Sequence, residues 1–370
     1  MEFIPIANAY IGEEEARAVY DVVKSGWISM GKKAKEFEDM VCEYVGAKYA
    51  VGMNNGTSTL QAILIASGIG PGDEVIVPSL TYISSANVVL FQGASLVLCE
   101  SNPKTFNVEP RDIKKKITKR TKAFITVDLK GMPVDYDAFA ALSRETGIAF
   151  IADSAESLGA IYKGSKVGAQ AMAHSFSFFA NKNITTGEGG MVTTNDEQLY
   201  KNLLIIRNQG QEGRYRHTWL GNNFRFTDIQ AALGIEQLKR LEWILSEKAK
   251  IARNYTEIFL NVNGVIPPFV PAYVDRHSWY MYSIRVNAGL RDWLVRELQL
   301  KNIDTRLSFP PVHIQPYYQK RFGYTVYDFP VACKIFSEFV DIPIWAGMSI
   351  EKQEYIINTI RQLLIAREGV

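Results

Sequence analysis

The feature that most constrains this chain is a regular alternation of short apolar segments with amphipathic segments over about its first 210 residues. The apolar segments predict strands at Tyr49–Met53, Glu74–Val77, Leu96–Cys99, Ala123–Val127 and Ala149–Ala152. The intervening segments predict helices over Gly12–Val23, Ala34–Val45, Thr57–Ala66, a stretch from Ile83, and Val134–Glu145. Short apolar strands separated by helices are typical of a parallel sheet that is covered on both faces. The sequence therefore predicts an α/β fold built on a large, mostly parallel sheet.

The length of the chain and a long helical pattern predict two domains. A chain of 370 residues exceeds what one simple core usually holds. A helix predicted over Thr227–Ser246 leads out of the sheet region, and the remainder mixes helices with strands such as Trp279–Val286. We therefore expect a large α/β domain with an N-terminal helical segment over residues 1–246, and a smaller α+β domain over residues 247–370.

Composition argues against several classes of partner. The net charge is only +2, which disfavours nucleic acid and anionic membranes as partners. No apolar run reaches membrane-spanning length, and the N-terminus lacks the pattern of a signal peptide. The three cysteines form no CxxC pair and predict free thiols in a reducing cytoplasm. The four histidines form no ligand-spaced cluster, so we expect no metal.

A single lysine, Lys182, lies in the segment HSFSFFANKNITTGEGGMVTT, between apolar runs and beside a turn rich in Gly, Thr and Asn. Lysine is rarely buried without a partner. A lysine in such surroundings is typical of Schiff-base chemistry. The alternative is a surface lysine in a hairpin turn, so the residues around it decide between the two.

Several other side chains are predicted at the same edge of the sheet. Asp153 closes a strand, where ligands of open α/β sheets bind, although such an Asp is often a turn former or helix cap. The turn Asn55–Thr59 joins a strand to a helix and is either a phosphate site or a simple N-cap. Ser177 adds a hydroxyl, and Tyr82 is an aromatic side chain that either stacks on a planar ring or fills the core. Together these groups match the requirements of pyridoxal phosphate (PLP).

The sequence resembles the DegT/DnrJ/StrS family of sugar aminotransferases, which are PLP enzymes of fold type I, the aspartate aminotransferase-like fold. The resemblance covers nearly the whole chain, and the lysine segment with its TTGEGG tail is its most specific part. The other matching segments are NNGTSTL, GPGDEVIVPSLTYISSAN, DSAESLGA, GNNFRFTDIQAALG and PPVHIQPYY.

The resemblance implies a role for particular residues. Lys182 would form the Schiff base with PLP and act as the acid/base, and Asp153 would keep the pyridine nitrogen protonated. The phosphate would be bound by Gly56, Thr57, Ser58 and Ser177, together with Asn223 from a second subunit. The active sites of a homodimer would therefore be shared.

The resemblance also implies contacts to the ring and to the substrate. Tyr82 would stack on the cofactor ring. Glu156 would lie near the phenolic oxygen, and a carboxylate there resembles the GDP-perosamine synthase branch. Arg225 would bind a donor carboxylate or a substrate anion. His313 would lie on the sugar side of the pocket, with an ordinary surface histidine as the alternative.

Two departures from the family pattern leave the substrate open. Relatives often carry a Gly-Asp pair where this chain reads VGAQAMAHSF, and Leu-Tyr-Gly where it has Leu129-Lys130-Gly131. The implied reaction moves an amino group from L-glutamate to a keto-sugar that is linked to a nucleotide. Its product would serve a polysaccharide or glycan such as a lipopolysaccharide O-antigen. The alternatives are a Kdo-type free sugar acid as acceptor, a PLP-dependent sugar dehydratase, in which histidine replaces the lysine, and a non-catalytic cofactor-binding protein.

Overall fold

The computed structural model describes residues 2–368. Its helices are α1 (Glu13–Ser25), α2 (Lys32–Val45), α3 (Gly56–Ala66), α4 (Ser84–Phe91), α5 (Pro110–Lys114), α6 (Tyr136–Thr146), α7 (Glu197–Arg207), α8 (Asp228–Phe259), α9 (Ala288–Leu300), α10 (Pro316–Phe322), α11 (Pro330–Glu338) and α12 (Ile350–Glu368). Its strands are β1 (Tyr49–Met53), β2 (Glu74–Pro78), β3 (Ser95–Cys99), β4 (Thr121–Val127), β5 (Ala149–Asp153), β6 (Ile161–Tyr162), β7 (Ser165–Lys166), β8 (Ala173–Ser177), β9 (Gly190–Thr194), β10 (Val274–Arg276), β11 (Tyr282–Arg285) and β12 (Phe339–Ile342).

A seven-stranded sheet forms the centre of the molecule, in the order β1-β9-β8-β5-β4-β2-β3. The neighbours from β8 through β5, β4 and β2 to β3 are parallel, whereas β9 runs antiparallel to both β1 and β8. Every residue of β2 and β9 is buried, as expected for strands covered on both faces. The prediction of an α/β fold with a large, mostly parallel sheet is confirmed.

The long helix α8 links the sheet region to the C-terminal part of the chain. It begins at a capping box, in which Thr227 accepts from the backbone N–H of Gln230 and the Gln230 side chain bonds back to the Thr227 backbone. The helix continues to Phe259 and is longer than predicted, because buried apolar side chains recur along its whole length. The predicted domain boundary at residues 246/247 therefore falls inside a continuous helix.

The C-terminal part has its own apolar core. Strands β11 and β12 pair in antiparallel fashion, and α9 and α12 pack with the second half of α8. The strand predicted over Trp279–Val286 is shorter than expected. Trp279 has a positive φ of 51°, and its backbone N–H donates to His277 Nδ1 at 2.8 Å, so the chain turns before the strand begins.

Candidate active site

A cavity of about 510 Å³ lies beyond the carboxyl ends of the parallel strands, where ligands bind in sheets of this kind. The sheet brings there side chains that are far apart in sequence, because Asp153 ends β5, Ser177 ends β8 and Tyr82 follows β2. The predicted residues that line the cavity are Gly56, Thr57, Ser58, Tyr82, Asp153, Glu156, Ser177 and Lys182.

One wall of the cavity is the N-terminus of α3. The Asn55 side chain caps this helix by accepting from the Ser58 backbone N–H at 2.8 Å. A Cβ atom on Gly56 would lie 3.0 Å from Ser177 Cβ, so glycine leaves the space open at this point. Backbone N–H groups at a helix N-terminus, together with the hydroxyls of Thr57 and Ser177, are suited to hold a phosphate.

The α3 turn also packs directly on the strand that follows the lysine loop. A Cβ atom on Gly190, the first residue of β9, would lie 2.7 Å from the backbone carbonyl carbon and oxygen of Asn55. Such a distance is below any ordinary contact, so residue 190 must be glycine for the two backbones to approach this closely. The two segments are therefore in direct backbone contact.

Asp153 lies at the floor of the cavity and is buried. Its Oδ2 accepts from Ser85 Oγ at 2.7 Å, and its Oδ1 accepts from the Ala155 backbone N–H at 3.3 Å. Burial raises the pKa of Asp153 to about 6, although these hydrogen bonds and the charge of Lys182 act in the opposite direction. A buried carboxyl with so few partners is suited to receive a cationic group from a ligand.

Lys182 lies in the loop between β8 and β9, and its side chain is only 13% exposed. Its Nζ lies 4.0 Å from the centre of the Tyr280 ring and 3.4 Å from Glu156 Oε1. Burial opposes the charge of the ammonium group, but Tyr280 and Glu156 favour it, and the net effect raises the pKa of Lys182 above its ordinary value. The structure thus answers the question left by the sequence, since Lys182 is not a surface lysine.

Glu156 is fixed in place from two sides. Its Oε2 accepts from the backbone N–H of Lys130 at 2.7 Å, and its backbone carbonyl accepts from Ser278 Oγ at 2.6 Å. The remaining carboxylate oxygen faces Lys182. Glu156 is therefore the carboxylate that directly contacts the lysine.

The predictions from sequence do not include the donor to Asp153 or several residues of the cavity wall. Ser85, the donor to Asp153, lies in the quoted PSLTYISSAN segment, and its place at the start of α4 was a usable signal. Tyr280, Arg306 and Phe309 come from the C-terminal part, and nothing local in the sequence places them near Lys182. The Phe309 ring meets the exposed ring of Tyr82 edge to face, with centroids 5.4 Å apart.

A buried ion pair supports this wall. Lys130 Nζ lies 2.8 Å from both carboxylate oxygens of Asp341 and 2.9 Å from the backbone oxygen and Oγ of Ser308. Asp341 is fully buried and also accepts from Ser283 Oγ. The lysine that departs from the family pattern therefore joins the β4 end of the sheet to the C-terminal part, beside the cavity-lining Ser308.

We expect Lys130→Met to lower the free energy of unfolding by about 3–5 kcal/mol, because it leaves the Asp341 carboxylate buried without its cation. Urea denaturation of the purified protein measures this change. The double variant Lys130→Met/Asp341→Asn is the matched control and should recover most of the loss, since the buried charge is then gone. If Lys130→Met alone is as stable as the unaltered protein, the ion pair does not hold these parts together.

Three predicted site residues lie outside this cavity. His313 is fully buried, with Nδ1 bonded to Ser79 Oγ at 2.6 Å and Nε2 lying 3.3 Å from Cys333 Sγ. It is neither a surface histidine nor part of the cavity wall, because these contacts enclose its ring. Asn223 is exposed in the segment after α7, and Arg225 donates to Asn208 Oδ1 at 2.8 Å in the same segment.

The described residues were also compared with the requirements of a metal site and of a membrane-spanning helix. Among residues 2–368, no group of three or more His, Cys, Asp or Glu side chains is placed to hold a metal ion. Over the same range, no helix has both the length and the apolar character that crossing a membrane requires.

The donor set of the cavity fits PLP. The α3 N-terminus and Ser177 suit its phosphate, the buried carboxyl of Asp153 suits a protonated ring nitrogen, and Lys182 is an amine within the same cavity. Gly56 keeps open the space beside Ser177 that a larger residue would fill. When bound, the cofactor supplies an electron sink for the negative charge that develops at the carbon bearing the amino group.

Comparison with known proteins agrees with this geometry. Residues 9–361 match the DegT/DnrJ/EryC1/StrS aminotransferase family. The chain is 38% identical to a GDP-perosamine synthase of Caulobacter vibrioides, covering 98% of each chain. Among solved structures, DesV of S. venezuelae superimposes with a TM-score of 0.94 at 31% identity, covering 98% of this chain and 99% of DesV.

The cofactor is supported by a second structure. The PLP form of the sugar aminotransferase Spr1654 from Streptococcus pneumoniae superimposes with a TM-score of 0.92 at 31% identity, covering 97% of this chain and 98% of the other. The presence of Lys182 also agrees with an aminotransferase and not with the dehydratase variant, in which histidine replaces the lysine. This chain belongs to the DegT/DnrJ/EryC1/StrS aminotransferase family and is a PLP-dependent sugar aminotransferase.

Proposed function

We propose that this enzyme transfers the amino group of L-glutamate to the keto group of a deoxy-sugar carried on a nucleoside diphosphate. The observation that carries the proposal is the placement of Lys182 beside Glu156, in a cavity that Asp153 also lines. Relatives named GDP-perosamine synthase, from Caulobacter vibrioides and Escherichia coli O157:H7, are 38% and 36% identical to the chain and support a nucleotide-linked acceptor.

Three residues of the cavity would each have a separate role in this reaction. Lys182 holds a proton at Nζ, stabilised by Tyr280 and Glu156, and can deliver it to or accept it from a reacting carbon. Asp153, whose charge is opposed by burial, would gain a cationic partner in a protonated ring nitrogen and so keep that nitrogen protonated. Arg306 lines the same cavity and would supply a cation for a carboxylate of the amino donor.

The direct test is to run the reaction backwards. PLP-loaded protein is incubated with 2-oxoglutarate and a panel of amino-sugars that vary in the aminated carbon and in the carrier, and glutamate formation is measured. We expect glutamate with at least one nucleotide-linked amino-sugar. Glutamate from free sugar acids alone would overturn the nucleotide-linked acceptor. In the forward direction, with glutamate and the matching keto-sugar, a deoxygenated sugar that has gained no amino group would overturn amino transfer.

We further propose that the enzyme is a homodimer in which Asn223 of the partner subunit contacts the cofactor phosphate. The segment between α7 and α8 supports this, because three large apolar side chains close together in it are exposed, namely Tyr215, Trp219 and Leu220. Exposed apolar side chains of this size commonly mark an interface.

Subunit mixing tests the shared site. A variant of Lys182 and a variant of Asn223 are each inactive or weakened alone, but a mixed dimer would contain one site with both native residues. We expect co-expression of Lys182→Ala and Asn223→Ala chains to restore part of the activity. Activity no higher than in the separate variants, in a preparation shown by light scattering and mass spectrometry to contain mixed dimers, would place Asn223 in its own subunit's site.

A further inference from the structure

A groove of about 610 Å³ lies beside the active-site cavity, between α4 and the segment that leads into α10. Thr81, Tyr82 and Phe309 line both spaces. A ligand whose reacting end is in the cavity can therefore extend past Phe309 into the groove. The volume of the groove falls within the range of ordinary ligand sites.

The groove presents aromatic rings to solvent. Tyr82, Phe91 and Tyr317 line it and are 55%, 60% and 55% exposed. A cluster of exposed aromatic side chains is uncommon on a protein surface unless it binds something. Planar rings of this kind are the usual surface on which nucleobases stack, since every base presents a flat π face.

The groove also carries one unneutralised positive charge. Arg321 lines it, and its Nη1 donates to Tyr317 Oη at 2.6 Å. Among the described residues Arg321 has no carboxylate partner, and no Asp or Glu lines the groove. A guanidinium group that no carboxylate neutralises is suited to pair with phosphate oxygens.

The walls of the groove are already fixed without a ligand. The buried Tyr318 donates from its hydroxyl to Asn87 Oδ1 at 2.7 Å and so ties α10 to α4. The backbone N–H of Val312 donates to the Ser79 carbonyl at 2.7 Å, which holds the same segment to the end of β2. The backbone segments that carry the rings are therefore held in place before binding, which reduces the entropy lost on association.

We propose that this groove binds the nucleoside diphosphate part of the substrate, with the base against the exposed rings and the diphosphate paired with Arg321. The sugar then enters the cavity past Phe309 and presents its keto carbon to Lys182. This inference rests on the proposed function, and it assigns the carrier to residues outside the cofactor site.

Equilibrium binding to the PLP-loaded protein tests the groove. The probes are GDP, UDP and dTDP, with inorganic phosphate as a ligand that lacks the base, and affinity is measured by titration calorimetry. We expect at least one nucleotide to bind clearly more tightly than phosphate. Tyr317→Ala and Arg321→Gln should each weaken that binding by about tenfold or more.

Matched controls separate the groove from general surface effects. Tyr327 is 85% exposed but outside the groove, and Lys320 precedes Arg321 on the same helix without lining it. Tyr327→Ala and Lys320→Gln should leave nucleotide affinity unchanged. Equal weakening in the controls, or no effect of Tyr317→Ala and Arg321→Gln, would overturn the assignment of the nucleotide to this groove.

The reaction with glutamate separates nucleotide binding in the groove from amino transfer in the cavity. Conversion of the cofactor by glutamate alone is measured on the unaltered protein, because it needs no sugar. If glutamate reacts and no nucleotide binds, the groove proposal fails while amino transfer stands. If nucleotides bind in the groove and glutamate does not react, the assignment of the nucleotide to the groove stands, and the assignment of glutamate as amino donor is wrong. If Tyr317→Ala no longer forms dimers and the unaltered protein binds no nucleotide, the groove is a contact between subunits and the proposal is overturned.

Discussion

Replacing Lys182 with alanine is expected to abolish amino transfer, with a loss of rate of at least about 10³-fold. Within residues 2–368, Lys182 is the one lysine that lines the active-site cavity, so no second amine is placed to take over. The measurement is glutamate-dependent change in the absorbance of the bound cofactor, followed by product formation with the amino-sugar that reacts in reverse. Turnover by Lys182→Ala at a rate near that of the unaltered protein would rule out its assigned role.

Two controls give this result its meaning. Lys182→Arg keeps a cation beside Glu156 and Tyr280 but cannot form the bond to the cofactor, and should be as inactive as alanine. Lys201→Ala removes an exposed lysine of α7 that pairs with Glu197, and should be fully active. Borohydride reduction of the loaded enzyme should add the cofactor mass to the peptide that contains Lys182, and labelling of another peptide would contradict the assignment.

The substitution Asp153→Asn is expected to have opposite effects on activity and on stability. Activity should fall by about 10²–10³-fold or more, because the amide cannot compensate the charge of a protonated ring nitrogen. The cofactor-free protein should become more stable near pH 7.5, since the variant no longer buries a charged carboxylate there. Ser85 can still donate to the amide oxygen, so this hydrogen bond need not be lost.

The sign of the pH dependence follows from the raised pKa. The pKa of Asp153 is about 6 in the folded protein, against about 4 in an unfolded chain. Between these values the folded state binds more proton than the unfolded state, so Asp153 makes the cofactor-free protein less stable as pH rises from about 4 to about 6. Above pH 6 the full cost of up to about 3 kcal/mol is present, and Asp153→Asn removes it.

Urea denaturation of both cofactor-free proteins at pH 4 and pH 7.5 measures this effect. The variant should gain stability relative to the unaltered protein at pH 7.5 and have no advantage at pH 4. If the variant and the unaltered protein are equally stable at pH 7.5 as well as at pH 4, burial of the charged Asp153 carboxylate does not destabilise the folded protein. Full activity of the variant would separately remove Asp153 from the catalytic set.

The sequence was most informative where local pattern and sheet geometry act together. The strand Tyr49–Met53 was predicted with its observed bounds, because a short apolar run between turn residues depends little on the rest of the chain. Asp153 and Tyr82 could be placed at one edge because parallel strands bring their carboxyl ends to the same side. These predictions needed only the alternation of strands and helices.

The remainder of the site depends on tertiary packing that no local pattern records. Tyr280 and Phe309 reach the cavity only because the C-terminal part packs on the sheet edge. The partner of Lys130 is Asp341, 211 residues away, and the sequence shows neither as buried. Histidine is a residue type that often binds ligands, but the contacts of His313 with Ser79 and Cys333 enclose its ring.

The close approach of Gly190 to Asn55 makes one position outside the cavity decisive for two of its walls. The backbone that follows the lysine loop rests on the backbone of the phosphate turn, so a side chain at 190 would push the two segments apart. A single substitution at position 190 would therefore disturb the phosphate turn and the lysine loop together. The rings of the groove, such as Tyr317, belong to a separate surface element. Substitutions at Tyr317 therefore leave the contact between these two backbones intact.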